Sequence, residues 1–356
     1  MTPLDSMIAR ELLCFEPRGR SQVLTPASIA RWLARQALGD NLGSGTVLDP
    51  AAGTGRLLKA ISEIAGTQHQ LLAVESDPVA ASAMSALCPE VEVQVGDGLW
   101  DSRTGVDAVV MNPPYGNADQ LGTEFHRRAS RRWSFHRRQL DVSVFFMASA
   151  LESLRPGGRM ACIVPRYWLE ATGAASFRHW FSGQAAIEQV VDLGNIQVFN
   201  TAEVLTAMVV ARRRDADSCQ EHATTFYRIC DKVELADLLD PQRVEPSSYP
   251  VPRLGSEPWS VREPEREGEL ARLEGRCGRL GDWFEVGQGV KTGRNSVFVL
   301  SGQEIDARSL RGPWLRKIAR PRDIRATGIH DDDRWLLRIL PDEPAPTGSL
   351  GVWLSG

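Results

Sequence analysis

The sequence predicts an α/β protein with a Rossmann-like core, a mostly parallel sheet of seven strands, followed by a smaller β-containing module. Three observations carry this expectation. Short apolar runs alternate with segments of helical period over the first two-thirds of the chain, the pattern of βαβ units. A glycine turn joins the first such run to a helical segment. The 356 residues, 42% hydrophobic and 24% charged, supply a sizeable core and exclude wholesale disorder.

Strands are expected at Gly45 to Leu48, Gln70 to Val74, Val91 to Val95, Val106 to Met111, Met160 to Val164, Ile187 to Asp192 and Leu205 to Ala211. Between the fourth and fifth, Val142 to Leu154 has a helical pattern, closed by Arg155-Pro156-Gly157-Gly158. From Glu245 to Glu267 the chain carries five prolines among Ser and Glu, a composition that suits a linker. The expected organisation is a main domain over residues 1–244, a linker or irregular connection over 245–269, and a small module over 270–356.

Lys and Arg number 41 against 45 Asp and Glu, a formal charge of −4, so nucleic-acid binding would need a local basic surface. No apolar run approaches the roughly 20 residues that span a bilayer, and the N-terminus lacks the pattern of a signal peptide. The six cysteines are scattered, with no CxxC pair and no spacing suited to zinc. They read as reduced, mostly buried thiols of a cytoplasmic protein, with no metal site and no membrane partner expected.

The segment Thr46-Val47-Leu48-Asp49-Pro50-Ala51-Ala52-Gly53-Thr54-Gly55-Arg56-Leu57-Leu58 runs from a buried strand through a glycine turn into a helix. Gly53 and Gly55 remove Cβ atoms where the backbone turns sharply, and the helix start offers free N–H groups. The spacing is neither GxGxxG nor a P-loop, and a merely tight βα turn is the competing reading. Glu75 ends the second strand about 20 residues on, where a carboxylate accepts ribose hydroxyls. Asp97, after the third strand, is placed to take an adenine amino proton. Each acid alone also reads as an exposed loop residue, but together they put suitable groups at successive strand ends, the edge where parallel sheets bind ligands.

The fourth strand ends in Asn112-Pro113-Pro114-Tyr115. Downstream of the Asp-Pro-Ala-Ala-Gly-Thr-Gly turn, this string resembles the N6-adenine DNA methyltransferases, in the subgroup with cofactor motifs first, the catalytic motif second and target recognition last. The resemblance implies the class I S-adenosylmethionine-dependent methyltransferase fold, S-adenosylmethionine as cofactor, and double-stranded DNA as partner. The chemistry fits the string. The adenine N6 lone pair is delocalised into the ring, and two acceptors holding its protons, the Asn112 side chain and the Pro113 carbonyl, favour a nucleophilic nitrogen. The prolines fix φ and hold the acceptors still. Tyr115 would stack on a base extruded from the duplex.

The same resemblance assigns Thr25, in Gly19-Arg20-Ser21-Gln22-Val23-Leu24-Thr25-Pro26, to the methionine end of the cofactor, although an N-cap with Pro26 in the first turn is equally compatible. Asp49, Ala51, Gly53, Gly55, Glu75, Asp97 and Asn112 complete the expected cofactor set. In Val198-Phe199-Asn200-Thr201-Ala202-Glu203-Val204, Phe199 is implied as the second stacking residue, against a reading as core. Asp141, opening the next helix, also matches a family position and reads as structural.

Between Phe125 and Arg138 lie six arginines, two histidines and no acid. Arg127, Arg128, Arg131 and Arg132 are expected phosphate contacts, against a solvated, flexible insertion. The stretch from Phe284 to Val299 looks like the opening of the family's target-recognition domain, with Lys291 and Arg294 as expected DNA contacts; a surface hairpin with balancing charges is the alternative. Full members of the family continue well beyond this point, so that domain is expected to be incomplete, and a separate restriction endonuclease or defence-system subunit is an expected partner. The implied activity is transfer of a methyl group to adenine N6 in a restriction-modification or phage-defence system. Methylation of an RNA base or a protein glutamine, methylation of cytosine N4, and a catalytically silent DNA-binding subunit stand as alternatives.

Overall fold

The computed structural model describes residues 24–39, 44–101, 103–199, 204–215 and 223–240, with shorter stretches between 242 and 338. The chain divides into two compact units, Met1–Glu269 and Leu270–Gly356.

The first unit is built on one sheet of nine strands: β1 (Thr46–Asp49), β2 (Gln70–Glu75), β3 (Val91–Val95), β4 (Val106–Met111), β5 (Leu154–Pro165), β6 (Ala185–Asp192), β7 (Thr206–Arg213), β8 (Thr224–Arg228) and β9 (Ser248–Val251). Their order is β3-β2-β1-β4-β5-β7-β6-β8-β9. The strands from β3 to β5 are parallel, β7 runs antiparallel to both neighbours, β8 is parallel to β6, and β9 is antiparallel to β8. All seven expected strands are present. Two more extend the sheet, both in the stretch where the apolar pattern loosens.

Successive residues of the central strands alternate between two buried faces. Val47, Ala108, Val110, Ala161 and Ile163 belong to one core. Leu48, Val109, Met111, Cys162 and Val164 belong to the other. A sheet covered on both sides needs apolar residues at every position, which is why these runs are continuous. The first face is covered by α1 (Ala27–Leu38), α2 (Arg56–Ala65), α3 (Pro78–Leu87) and α7 (Lys232–Leu239). The second is covered by α4 (Gly122–Arg132), α5 (Val142–Ser153) and α6 (Ala175–Gln184). Helix α5 is apolar almost all round because it is buried almost all round.

The proline-rich stretch expected as a linker is in part built into this unit. Strand β9 closes the sheet edge, where Pro250 takes the kind of position a residue without an N–H can occupy. Trp259 is buried, its ring edge-on to Trp168 with centroids 5.2 Å apart. Arg178, 1% exposed, donates to the carbonyls of Ser256, Glu257, Trp168 and Ala171 at 2.7–3.0 Å. Composition marked the segment as irregular, but a buried guanidinium and an indole fasten it. Of the four described cysteines, Cys88 and Cys162 are buried while Cys230 and Cys277 are exposed, so burial is less general than expected.

The second unit contains a three-stranded antiparallel sheet, Val299–Ser301, Arg334–Leu337 and Leu315–Lys317, around Leu300, Ile305, Leu310 and Leu337. Lys291 and Arg294 lie outside the described residues.

Replacing Arg178 by Met would leave several buried carbonyls without a donor, each costing about 1–3 kcal/mol. The expected outcome is a loss of at least about 3 kcal/mol from the first unit, read as a lowered urea midpoint by tryptophan fluorescence. An unchanged midpoint would mean that water replaces the guanidinium.

Candidate active site

The ends of β3, β2, β1 and β4 stand side by side and present Asp97, Glu75, Asp49 and Asn112 in that order. At an inter-strand spacing of about 4.8 Å, the row is roughly 14 Å long. The expected groups are thus gathered at one edge by topology alone.

The glycine turn is held from two sides. Gly53 (φ +54°) donates its N–H to Glu75 Oε2 at 2.7 Å, and Ala51 N–H donates to Asp49 Oδ1 at 3.0 Å. Gly55 (φ +78°) starts α2, and a Cβ there would stand 2.8 Å from Met84 Sδ. Both positions therefore need glycine, the second twice over. Glu75 Oε1 accepts from Asp77 N–H at 2.8 Å, so this buried carboxylate organises the turn as well as facing the ligand edge. Its oxygens keep further lone pairs for hydroxyl donors.

Asp49 is 1% exposed, and its Oδ2 has no hydrogen-bond partner. Burial, with Glu75 nearby, pushes its carboxyl up to about 8 despite the Ala51 N–H. Asp97 accepts from Leu99 N–H at 3.0 Å and is also raised by burial. Gly98 stands beside it. A Cβ there would come within 1.7 Å of the Pro50 carbonyl oxygen, so the β3 loop and the glycine turn are packed backbone to backbone.

At the end of β4, Asn112 Nδ2 donates to Thr25 Oγ1 at 3.0 Å, and Asn112 Oδ1 accepts from the Tyr115 hydroxyl at 2.7 Å. The same hydroxyl lies 3.2 Å from the Ile163 carbonyl. Thr25 is buried and does not cap α1, whose N-cap is Pro26. Its carbonyl accepts from Arg56 at 2.9 Å, tying the segment before α1 to the start of α2. Burial holds the Tyr115 phenol well above its ordinary value, so it stays protonated. Pro113 is buried, and its carbonyl makes no hydrogen bond among the described residues.

Phe199, 4% exposed, lies against Tyr115 with ring centroids 6.2 Å apart and planes at 63°. The structure brings the two implied stacking residues together, but edge to face rather than as a parallel clamp.

The far end of the Asn-Pro-Pro-Tyr loop is fastened by Asp141. One carboxylate oxygen caps α5 through Ser143 N–H at 2.9 Å, and the other accepts from Gly116 N–H at 2.9 Å. The basic stretch is not a flexible insertion but helix α4, anchored by the buried aromatics Trp133 and Phe135. Arg127 pairs with Glu124, Arg132 pairs with Glu152, and Arg128 lies over the Trp100 ring at 4.0 Å. Only Arg131 of the four expected phosphate contacts makes no ion pair or ring contact among the described residues. The acids lie before and after the run, which a local count of charge misses.

Sheet order, glycine turn and strand-end acids together define a class I S-adenosylmethionine-dependent methyltransferase fold. A solved structure from Listeria monocytogenes assigned to that class is similar with a TM-score of 0.52 at 16% identity, covering 66% of this chain and 75% of that one. The methyltransferase subunit of a type I restriction-modification system from Streptococcus thermophilus superposes with a TM-score of 0.51 at 16% identity, covering 73% and 55%. Residues 68–199, from β2 through Phe199, match the Eco57I restriction-modification methylase family. Over 187 residues the chain is 27% identical to the Type II methyltransferase M.TthHB8I of Thermus thermophilus, covering 50% of this chain and 42% of that one. It spans less than half the length of the curated relatives it first matches. The chain thus resembles the restriction-modification DNA methyltransferases.

S-adenosylmethionine is the cofactor of this fold, and the residues fit it. Asp49 offers a buried, unpartnered oxygen to a cationic group, Glu75 has acceptor capacity left for hydroxyls, and the two glycines clear the turn.

A pH test follows from Asp49. Its ordinary value is near 3.9, so the folded chain without cofactor keeps it protonated until about pH 8. The folded state then binds the extra proton, and stability falls as pH rises between those values. A cationic ligand favours the carboxylate and should expel that proton. Calorimetry at pH 7 in buffers of different ionisation enthalpy should show close to one proton released on S-adenosylmethionine binding, and none in Asp49→Asn.

Proposed function

We propose that this chain transfers the methyl group of S-adenosylmethionine to the N6 amine of an adenine in DNA, as the modification activity of a restriction-modification or phage-defence system. The observation that carries the reading is the Thr25–Asn112–Tyr115 hydrogen-bond chain at the end of β4, one strand from the glycine turn. It holds an amide oxygen at the sheet edge that also carries Asp49, Glu75 and Asp97. The comparisons add support, one relative being a Type II methyltransferase by name and the matching family model being that of a restriction-modification methylase. They leave adenine N6 as a choice made on the Asn-Pro-Pro-Tyr chemistry.

Bound S-adenosylmethionine supplies an electrophilic methyl on a sulfonium. With Asp49 and Glu75 holding the cofactor, that methyl would be available to the amine nitrogen, the methyl–sulfur bond breaking as the nitrogen–methyl bond forms, with S-adenosylhomocysteine as the leaving group and the amine's surplus proton passing to water. Asn112 Oδ1 and the Pro113 carbonyl accept the two N6 protons and draw the lone pair out of the ring. Without substrate, the Tyr115 hydroxyl uses Oδ1. When the amine arrives, that hydroxyl turns to the Ile163 carbonyl, 3.2 Å away, and no buried donor is stranded. Thr25 holds the Asn112 amide in place through its Nδ2. Tyr115 and Phe199 rotate from their edge-to-face contact to enclose the extruded base. Most of the rate enhancement comes from positioning and from acceptors already in place.

The test is methyl transfer from labelled cofactor to unmethylated plasmid DNA, with structured RNA and a glutamine-containing protein in parallel, followed by nucleoside analysis. N6-methyladenine from DNA is the expected product; label only in RNA or protein would overturn the acceptor. Asn112→Ala should abolish transfer and leave cofactor binding intact. Tyr115→Phe keeps the ring and should stay within about tenfold of the parent, whereas Tyr115→Ala should lose about 10–100-fold, the worth of one stacked base. Equal losses in the two Tyr115 variants would assign the role to the hydroxyl instead.

A further inference from the structure

Beside the catalytic edge lies a cleft of about 710 Å³ between the N-terminal half of α1, residues 196–198 and α7. Its floor is apolar, with Ile29, Ile196 and Leu235 buried. Its rim carries three cations, Arg31 and Arg35 from α1 and Lys232 from the start of α7, all exposed. None of the three forms an ion pair among the described residues, and Asp240 is the one acid in the lining. The cleft joins the active site at two points. Pro26 in its wall follows Thr25, which holds Asn112, and Val198 precedes Phe199, which meets Tyr115.

Uncompensated like charges around one concavity repel, and low-dielectric walls focus their field on any anion that enters. Arg31 and Arg35 are one helical turn apart, about 6 Å along the axis. Two nucleotides of one strand rise about 7 Å, so the two guanidinium groups have the spacing to meet phosphates two steps apart on that strand. The apolar floor suits the sugar and base faces between them. Helix α4, the basic segment evident in the sequence, has by contrast already committed Arg127, Arg128 and Arg132 to acids and an indole.

We propose that this cleft holds the phosphodiester backbone of the DNA strand carrying the target base, at the nucleotides flanking it, with Arg31, Arg35 and Lys232 as the phosphate contacts. The proposal rests on the DNA reading above and assigns the surface that reading lacks.

The test uses the full chain, saturated with S-adenosylhomocysteine, and a fluorescein-labelled 20-base-pair duplex containing adenines. Anisotropy titrations from 50 to 250 mM NaCl compare the parent, the triple variant Arg31→Ser/Arg35→Ser/Lys232→Ser, and Arg127→Ser/Arg131→Ser. The triple variant should bind at least about tenfold more weakly at low salt, with the slope of log affinity against log salt reduced by about two to three, near one per contact. The double variant should change less, and calorimetric cofactor affinity should stay at the parent value. A parent-like slope in the triple variant, with the parent binding DNA, would overturn the cleft and leave the function standing. A parent that binds no DNA would overturn both. If deoxyadenosine monophosphate binds and the triple variant loses that binding but keeps DNA affinity, the cleft is a mononucleotide site and the strand assignment fails.

Discussion

One primary amide ties the active edge together. Asn112 faces Thr25 with its nitrogen and Tyr115 with its oxygen, joining the segment ahead of α1, the end of β4 and, through the tyrosine, β5. Both neighbours are hydroxyls, each able to donate and to accept, and between them they hold the plane of the amide in place. The residue whose oxygen the proposed chemistry needs is thus oriented before any substrate arrives, by partners 87 and three positions away in the chain.

That orientation depends on the sheet. Strand order β3-β2-β1-β4 converts four distant strand ends into adjacent ones, and burial of both faces makes the strands rigid supports. The loops on this edge also lock one another. Gly98 against the Pro50 carbonyl, and Gly53 N–H against Glu75, mean that the β1, β2 and β3 loops cannot shift independently.

Much of this was legible in the residues. The continuous apolar strands announce a doubly covered sheet, and the glycine turn followed by acids at strand ends locates the ligand edge. What escaped has physical causes. Strands β8 and β9 are short and lie in the weakly patterned stretch toward the far edge of the sheet, so the period-2 signal is faint there. The proline-rich segment looked like a linker because composition does not reveal that Arg178 collects its carbonyls. The acids that pair with Arg127 and Arg132 of α4 sit outside the run, so its local charge count does not show them. Arg31, Arg35 and Lys232 never formed a cluster in the sequence at all, two being on one helix and the third about 200 residues on.

The Asp141 clasp has a consequence of its own. Gly116 and Val142 are joined through Gly116 O and Val142 N–H at 2.8 Å, Gly116 N–H bonds the Asp141 carboxylate, and Asn117 bridges Asp141. The excursion from residue 117 to 141, with all of α4, therefore leaves the catalytic loop and returns to it through one closed neck. The segment above that neck stands on a fixed footing. The excursion is also anchored below by Trp133 and Phe135, which lie fully inside the core. The sheet edge is in this sense a socket, with Asn112 on one side of the neck and an arginine-bearing head on the other.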